Sequence, residues 1–145
     1  MVRIGKRYHF SASHRLHSAA LSADENRDVY GKCNNPYGHG HDYVLEVVVR
    51  GAPDAVTGLV VPLKQLDEYV KREVISEFDH KYMNEEIEAF RHLPPTTENV
   101  AAVIREKLAR GWRAAFPSSA SLDSVKIFET RRNMVELRGE MEGQN

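Results

Sequence analysis

Hydrophobic and polar residues alternate along the first part of the chain. The apolar positions over 3–16 share one parity, and they are Ile4, Tyr8, Phe10, Ala12 and Leu16. A period of two predicts a half-buried β-strand. A β-branched run over 42–51 predicts a second strand. Between the two, a capping-box pattern predicts a short helix over 22–30 that ends at Gly31.

The spacing of apolar residues changes after residue 61. They recur every three or four positions over 62–78 and again over 100–108, and each run predicts an amphipathic helix. Two prolines precede the second helix, whose predicted N-cap is Thr96 or Thr97. Gly111 and Pro117 mark its predicted end.

Two more strands are predicted over 124–130 and 133–139, and residues 140–145 are predicted to fray. The pattern thus indicates an α+β fold: a four-stranded antiparallel sheet with two helices between strands 2 and 3 on one face. Two helices leave the other sheet face and both edges exposed. We therefore expect a homo-oligomer whose subunits cover these surfaces and share active sites.

Composition narrows the class of protein. A chain of 145 residues predicts a single domain over 1–145. A net charge of -1 gives no reason to expect nucleic acid or an anionic membrane as the main partner. The lone cysteine fits a reducing compartment, and we find neither a membrane-length apolar run nor a signal peptide. These features predict a soluble, cytoplasmic protein.

Three histidines are candidate metal ligands. His39 and His41 are separated by Gly40, so in a strand both side chains lie on one face and can bind one ion at about 2.0–2.1 Å. Such a pair alone is a weak signal, because surface strands carry it without metal. His14, on the inner parity of the first strand, is either a third ligand or a hydrogen-bonded core residue, and His17 competes with it. Three imidazoles favour zinc with an open fourth position.

Cys33 lies in a polar loop and has three interpretations: a packed small residue, a metal ligand, or a thiolate that a nearby cation activates. Asp79 and His80 close the first long helix and could supply an acid–base partner for the thiol. Alternatively, a protonated His80 stabilises the helix by lying near its C-terminal carbonyl groups. The spacing leaves both roles open.

Two carboxylates have different predicted roles. Glu98 stands in the first turn of the second long helix, where a negative charge stabilises the helix. Glu129 shares the parity of the buried positions Val125 and Ile127. A buried carboxylate needs a cation or several N–H donors, and a heterocyclic ligand could supply the donors.

Taken together, five segments resemble the 6-pyruvoyltetrahydropterin synthase family. In the family's order, from about Tyr8 to Gly139, they are FSASHRLH, GKCNNP with GHGH, FDHKYMN, PTTENVA and KIFET. The resemblance implies the tunnelling fold, in which trimers close a β-barrel and two trimers stack as a homohexamer. It also implies a lyase that converts 7,8-dihydroneopterin triphosphate to 6-pyruvoyl-tetrahydropterin with loss of triphosphate, in tetrahydrobiopterin biosynthesis.

The resemblance carries roles onto individual residues. It implies three zinc ligands, which are His14, His39 and His41. It implies a catalytic cysteine and an acid–base pair from a neighbouring subunit, which are Cys33, Asp79 and His80. It implies a pterin anchor and three residues that line the same pocket, which are Glu129, Thr96, Thr97 and Glu98.

Rival functions differ at identifiable positions. In the related 6-carboxytetrahydropterin synthases the cysteine stands closer to the histidine pair than here, where residues 34–38 intervene. A relative that serves folate synthesis carries Glu at the position of Cys33. The chain could also be a non-catalytic zinc-binding assembly module. Tyr37 and Asp42 depart from the family pattern, in which both positions are usually Asn.

Overall fold

The computed structural model describes residues 1–139, which form one five-stranded sheet with helices packed on it. The prediction that residues 140–145 fray lies outside this range. The strand order is β3-β1-β2-β4-β5, and neighbours are antiparallel except that β3 runs parallel to β1. The strands are β1 Val2–His14, β2 His39–Gly51, β3 Lys81–Tyr82, β4 Ala120–Phe128 and β5 Met134–Arg138.

The prediction of a four-stranded, purely antiparallel sheet is wrong by one strand. Lys81 and Tyr82 pair in parallel with Ala12 and Ser13 on the outer edge of β1. A strand this short contains no alternating pattern that the sequence could display. The α+β class stands, with the two long helical segments between β2 and β4.

Strands β1 and β2 pair along their whole length, so that His14 lies opposite His39 and Ala12 lies opposite His41. The first strand was expected to run to residue 16, but it ends at His14. The second was expected to begin at Asp42, but it begins at His39. The ladder extends back through Gly40, a polar stretch without β-branched residues, because the hairpin register continues there. Gly38 has φ +71°, and a Cβ at this position would meet the His14 carbonyl oxygen at 2.8 Å.

The long helical segments form where apolar spacing predicts them. The first runs through α2, a π-helical turn at Lys71–Ile75 and α3, and Thr96 is the N-cap of α5. Helix α1 has the predicted capping box at Ser22 and leads through Gly31 into a 3₁₀ turn, Gly31–Asn34. The helices are α1 Ala23–Tyr30, α2 Leu63–Val70, α3 Ser76–Phe78, α4 Met83–Glu86, α5 Thr97–Arg110 and α6 Trp112–Ala115.

The hydrophobic core lies between the inner sheet face and the long helices. Its fully buried members include Leu45, Val47, Leu66, Val70, Ile104, Leu108, Val125 and Ile127. Burial of each such side chain contributes about 1.5–3 kcal/mol. The core reaches the stacked rings of Phe10 and Tyr43, whose centroids are 5.0 Å apart. Beyond this pair the same face of the hairpin carries histidines, so the sheet becomes polar at one end.

The outer sheet face carries ion pairs. Lys126 binds both Glu46 and Glu136, and Arg7 binds Glu46. The edges of the sheet are β3 and β5. Within residues 1–139 no helix has the length and apolar character needed to cross a membrane.

Candidate active site

Three histidine rings meet at the polar end of the β1–β2 hairpin. The Nε2 atoms of His14 and His39 are 3.2 Å apart, and the ring of His41 lies 4.6 Å from that of His39, centroid to centroid. Two nitrogens bound to one tetrahedral zinc at about 2.0–2.1 Å lie roughly 3.3 Å from each other. The separation of His14 and His39 therefore suits two ligands of one ion.

The surroundings of His14 leave the lone pair of its Nε2 atom available to bind a metal ion. Its Nδ1 atom lies 2.8 Å from the carbonyl oxygen of Pro95, so Nδ1–H donates and Nε2 keeps a lone pair. The side chain is fully buried, and burial lowers the pKa of His14 below its ordinary value. Burial lowers the pKa of His41 as well. Both rings are therefore held neutral, as metal ligands must be.

His41 has an unsatisfied polar atom. Its Nε2 is buried and has no hydrogen-bond partner in residues 1–139. Oε1 of Glu129 lies 3.7 Å from this atom, beyond hydrogen-bond distance. A buried polar atom without a partner costs about 1–3 kcal/mol, so this atom needs an ion or another ligand.

Two groups of side chains place possible ligand atoms within 4.8 Å of one another. They are His14 with Cys33 and His39, and His14 with His41 and Glu129. His14 belongs to both, and the predicted histidine set draws on both. Imidazole nitrogen, thiol sulfur and carboxylate oxygen are all zinc donors, so the residues present fit this ion. The competitor His17 is bound elsewhere, since its Nδ1 accepts a hydrogen bond from Asn34.

Cys33 lies in the 3₁₀ turn that faces the histidines. Two hydrogen bonds fix this turn on the segment after β1: the N–H of Leu16 donates to the Cys33 carbonyl, and Asn34 donates to the Leu16 carbonyl. Burial, and secondly the charge of Glu129, raise the pKa of the Cys33 thiol. The thiol is therefore protonated unless a positive charge lies beside it.

Glu129 follows β4 and points toward the N-terminus of α5. The hydroxyl of Thr97 donates to its Oε2 atom at 2.5 Å, and Thr97 is buried. The neighbouring Thr96 uses its hydroxyl as the helix cap and accepts the N–H of Asn99. Glu98 is exposed in the first helical turn. The structure thus joins Thr97 to Glu129 and gives Thr96 a helix-capping contact.

Asp79 and His80 lie at the outer edge of β1, directly before β3. Asp79 Oδ1 accepts the N–H of Ser11, the N–H of His80 donates to the Ser11 carbonyl, and His80 Nε2 lies 3.5 Å from Asp79 Oδ2. His80 has φ +61°, and its side chain is 82% exposed. Ser11 precedes His14 by roughly 10 Å of strand. Within one chain the pair is ordered but is not brought to Cys33.

Several contacts of the site were absent from the sequence-based prediction. The Pro95 carbonyl is a backbone group and leaves no signal in the sequence. Tyr43 could have been found, because it shares the parity of the histidines in β2, and its hydroxyl lies 3.4 Å from Nδ1 of His14. Asp42 accepts a hydrogen bond from Ser11 at 2.5 Å, and Tyr37 is 93% exposed.

The chain is similar to known proteins along nearly its whole length. A sequence model of the family 6-pyruvoyl tetrahydropterin synthase matches residues 3–140. The 6-pyruvoyl tetrahydrobiopterin synthase of Poecilia reticulata is 45% identical over 131 residues, which are 90% of this chain and 86% of the relative. The human protein of the same name is 41% identical over 139 residues, 96% of this chain and 92% of the relative.

A solved structure agrees with these sequence relatives. The 6-pyruvoyl tetrahydropterin synthase of Caenorhabditis elegans superposes with a TM-score of 0.86 at 39% identity and covers 96% of each chain. The chain therefore belongs to the 6-pyruvoyl tetrahydropterin synthase family and is an enzyme of this type.

Proposed function

We propose that the protein converts 7,8-dihydroneopterin 3'-triphosphate to 6-pyruvoyl-5,6,7,8-tetrahydropterin and triphosphate, as a zinc-dependent step of tetrahydrobiopterin biosynthesis. The observation that carries this proposal is the cluster of His14, Cys33 and His39, whose ligand atoms lie within 4.8 Å of one another. It places a candidate base directly beside a candidate metal site. Family membership supplies the substrate class.

The metal site would be held by His14, His39 and His41. When bound, the ion supplies Lewis-acid polarisation of the substrate hydroxyls and a positive charge that favours the Cys33 thiolate. The Pro95 carbonyl fixes the tautomer of His14, which keeps the Nε2 lone pair directed at the site.

Glu129 would hold the pterin ring. Its Oε2 atom already accepts one hydrogen bond from Thr97, which orients the carboxylate and leaves Oε1 free to accept N–H groups of the pyrimidine. A carboxylate that accepts from a planar heterocycle sets the angle at which the substrate side chain reaches Cys33. Thr97 is therefore a positioning residue in this account.

Cys33 would act as the general base. It removes a proton from the side-chain carbon beside the phosphate-bearing carbon, and the C–O bond to triphosphate then breaks with its electron pair on the departing oxygen. The resulting enol tautomerises to the ketone. Proton shifts move the reducing equivalents from the side chain to the ring, so the reaction consumes no external reductant.

Asp79 and His80 would complete the site from another copy of the chain. His80 is exposed and ordered at a sheet edge, as expected for a residue that serves a neighbouring subunit. We accordingly infer a single domain over 1–145 that assembles as a homohexamer, a dimer of trimers, and acts in the cytoplasm.

Product analysis tests this function. Zinc-loaded protein is incubated with dihydroneopterin triphosphate and a reductase that traps the unstable product, and the pterins are separated and identified. The expected product is the pyruvoyl compound, with turnover lost after chelation and restored by zinc. A carboxy- or hydroxymethyl-pterin would instead assign the protein to a related activity, and no turnover would favour a non-catalytic zinc-binding module.

A further inference from the structure

A cavity of about 240 Å³ lies beside the turn that carries Cys33. It is bounded by the segment after β1, by helix α1 and by the loop that leads into β2. Its cationic lining residues are Arg15, Arg27 and Lys32, with His17 beside them, and none of its lining residues is acidic. A concave surface lined by one sign of charge concentrates ligands of the opposite sign.

The cavity adjoins the candidate active site through the chain itself. Arg15 directly follows His14, and Lys32 directly precedes Cys33, so the Cα atoms in each pair are about 3.8 Å apart. The ligand atoms of His14 and Cys33 lie within 4.8 Å of each other. The lining of the cavity therefore includes the chain neighbour of each of these two site residues.

The position of Arg15 is fixed by two asparagines. The side chain of Asn84 accepts the N–H of Arg15 and donates to its carbonyl, each at 2.8 Å. The Nε atom of Arg15 donates to the Asn34 carbonyl at 3.2 Å. These bonds leave the terminal N–H groups of the guanidinium available, in a geometry that suits bidentate binding of phosphate oxygens.

The cations of the cavity differ in how far they are neutralised. Arg27 forms an ion pair with Asp24. Arg15 and Lys32 have no carboxylate partner among residues 1–139. Two positive charges without carboxylate partners repel each other in one cavity, and a bound anion would relieve this repulsion.

We propose that this cavity binds the triphosphate chain of the substrate, with Arg15 and Lys32 as the main contacts. The inference rests on the proposed function, since that function supplies the triphosphate. The phosphates are attached to the end of a three-carbon side chain, so they must lie just beyond the thiol. Each charge-assisted contact of this kind contributes about tenfold in affinity.

The test compares two ligands that differ only in their phosphates. Zinc-loaded, full-length protein that carries Cys33→Ala is titrated with dihydroneopterin triphosphate and with dihydroneopterin, and Arg15→Gln or Lys32→Gln is then added. We expect each substitution to weaken binding of the triphosphate about tenfold and to leave binding of dihydroneopterin unchanged. Arg113→Gln, an exposed cation on α6, is the matched control and should change neither.

Each other result has a defined meaning. Equal weakening of both ligands would show a general disturbance of the site, and unchanged triphosphate binding would show that the phosphates lie elsewhere; both overturn the inference. Arg15→Gln also removes the hydrogen bond to the Asn34 carbonyl and could disturb the turn. Lys32 is exposed, so Lys32→Gln tests the cavity without this disturbance. Pyruvoyl product from the wild-type protein with unchanged triphosphate binding in both variants would retain the function and reject the cavity. If the substitutions weaken binding of the triphosphate alone but the wild-type protein shows no turnover, the cavity assignment would be retained and the proposed function rejected.

Discussion

The histidine cluster beside Cys33 and the exposed edge at Asp79 and His80 contain the two halves of the predicted catalytic set, and they differ in environment. His14 is fully buried and bonded to Pro95, whereas the side chain of His80 is 82% exposed. The cluster is assembled by the register of one hairpin, so a single chain builds it. The edge is fixed by hydrogen bonds from Asp79 and His80 to the backbone of Ser11.

The backbone of His80 is held in an unusual conformation although its side chain is exposed. His80 adopts a left-handed backbone conformation, which costs a non-glycine residue about 1–2 kcal/mol. The hydrogen bonds from β1 hold it there, although its side chain gains little from burial. We infer that the strained, exposed position serves a surface that a second copy supplies.

The largest expected effect concerns the base within the cluster. Cys33→Ala should lower kcat by about 10²–10⁴-fold, because the proposed function makes Cys33 the group that accepts the substrate proton. The zinc content should stay unchanged, because the histidines remain. Steady-state kinetics and metal analysis of the same preparation measure both. Retained turnover would reject Cys33 as the base, and loss of zinc would instead identify it as a ligand in the group with His14 and His39.

The next effect separates a predicted zinc ligand, His41, from the competing histidine His17. His41→Ala should weaken zinc binding by more than about 10–100-fold, since loss of a mere outer-shell partner already costs that much. His17→Ala is the matched control, because its Nδ1 is bound to Asn34, and it should retain zinc. Competition with a chromogenic chelator measures both affinities. Equal affinities in the two variants would contradict the ligand assignment.

The smallest effects distinguish the adjacent threonines at the start of α5. Thr96→Ala should lower the free energy of unfolding by about 1 kcal/mol through loss of the N-cap, with KM unchanged. Thr97→Val should raise KM about tenfold, because Glu129 loses its orienting hydrogen bond. Urea unfolding measures the free energy of unfolding of both variants, and steady-state kinetics measure their KM. A rise in KM in the Thr96 variant as large as in the Thr97 variant would give Thr96 the substrate contact as well.

Much of the fold follows from local patterns that are strong in this chain. Alternation identified β1, and three- and four-residue spacing identified both long helical segments. Strand β3 escaped prediction because two residues cannot show a period, and its pairing depends on where α3 ends. The extension of β2 back to His39 is set by its pairing with β1 rather than by β-branched side chains.

The site was predictable to the extent that its chemistry lies in side chains. The parity of His14 and of Glu129 pointed correctly to the interior, and the structure places both beside His41. The Pro95 carbonyl could not be predicted, since any residue has one. The choice between Thr96 and Thr97 as N-cap depends on where the helix begins, which the sequence leaves uncertain by one residue. The separation of His80 from Cys33 is a matter of tertiary packing.

Mixed oligomers test most directly whether the two regions form one active site across chains. Cys33→Ala and His80→Asn are prepared separately and then co-expressed with different tags; Asn tolerates the left-handed conformation of residue 80. Each variant alone should be inactive. The mixture should recover up to about a quarter of wild-type turnover, because that share of randomly assembled sites receives an intact cysteine and an intact histidine from different chains. Inactive mixed oligomers, or a fully active His80→Asn protein, would contradict the account.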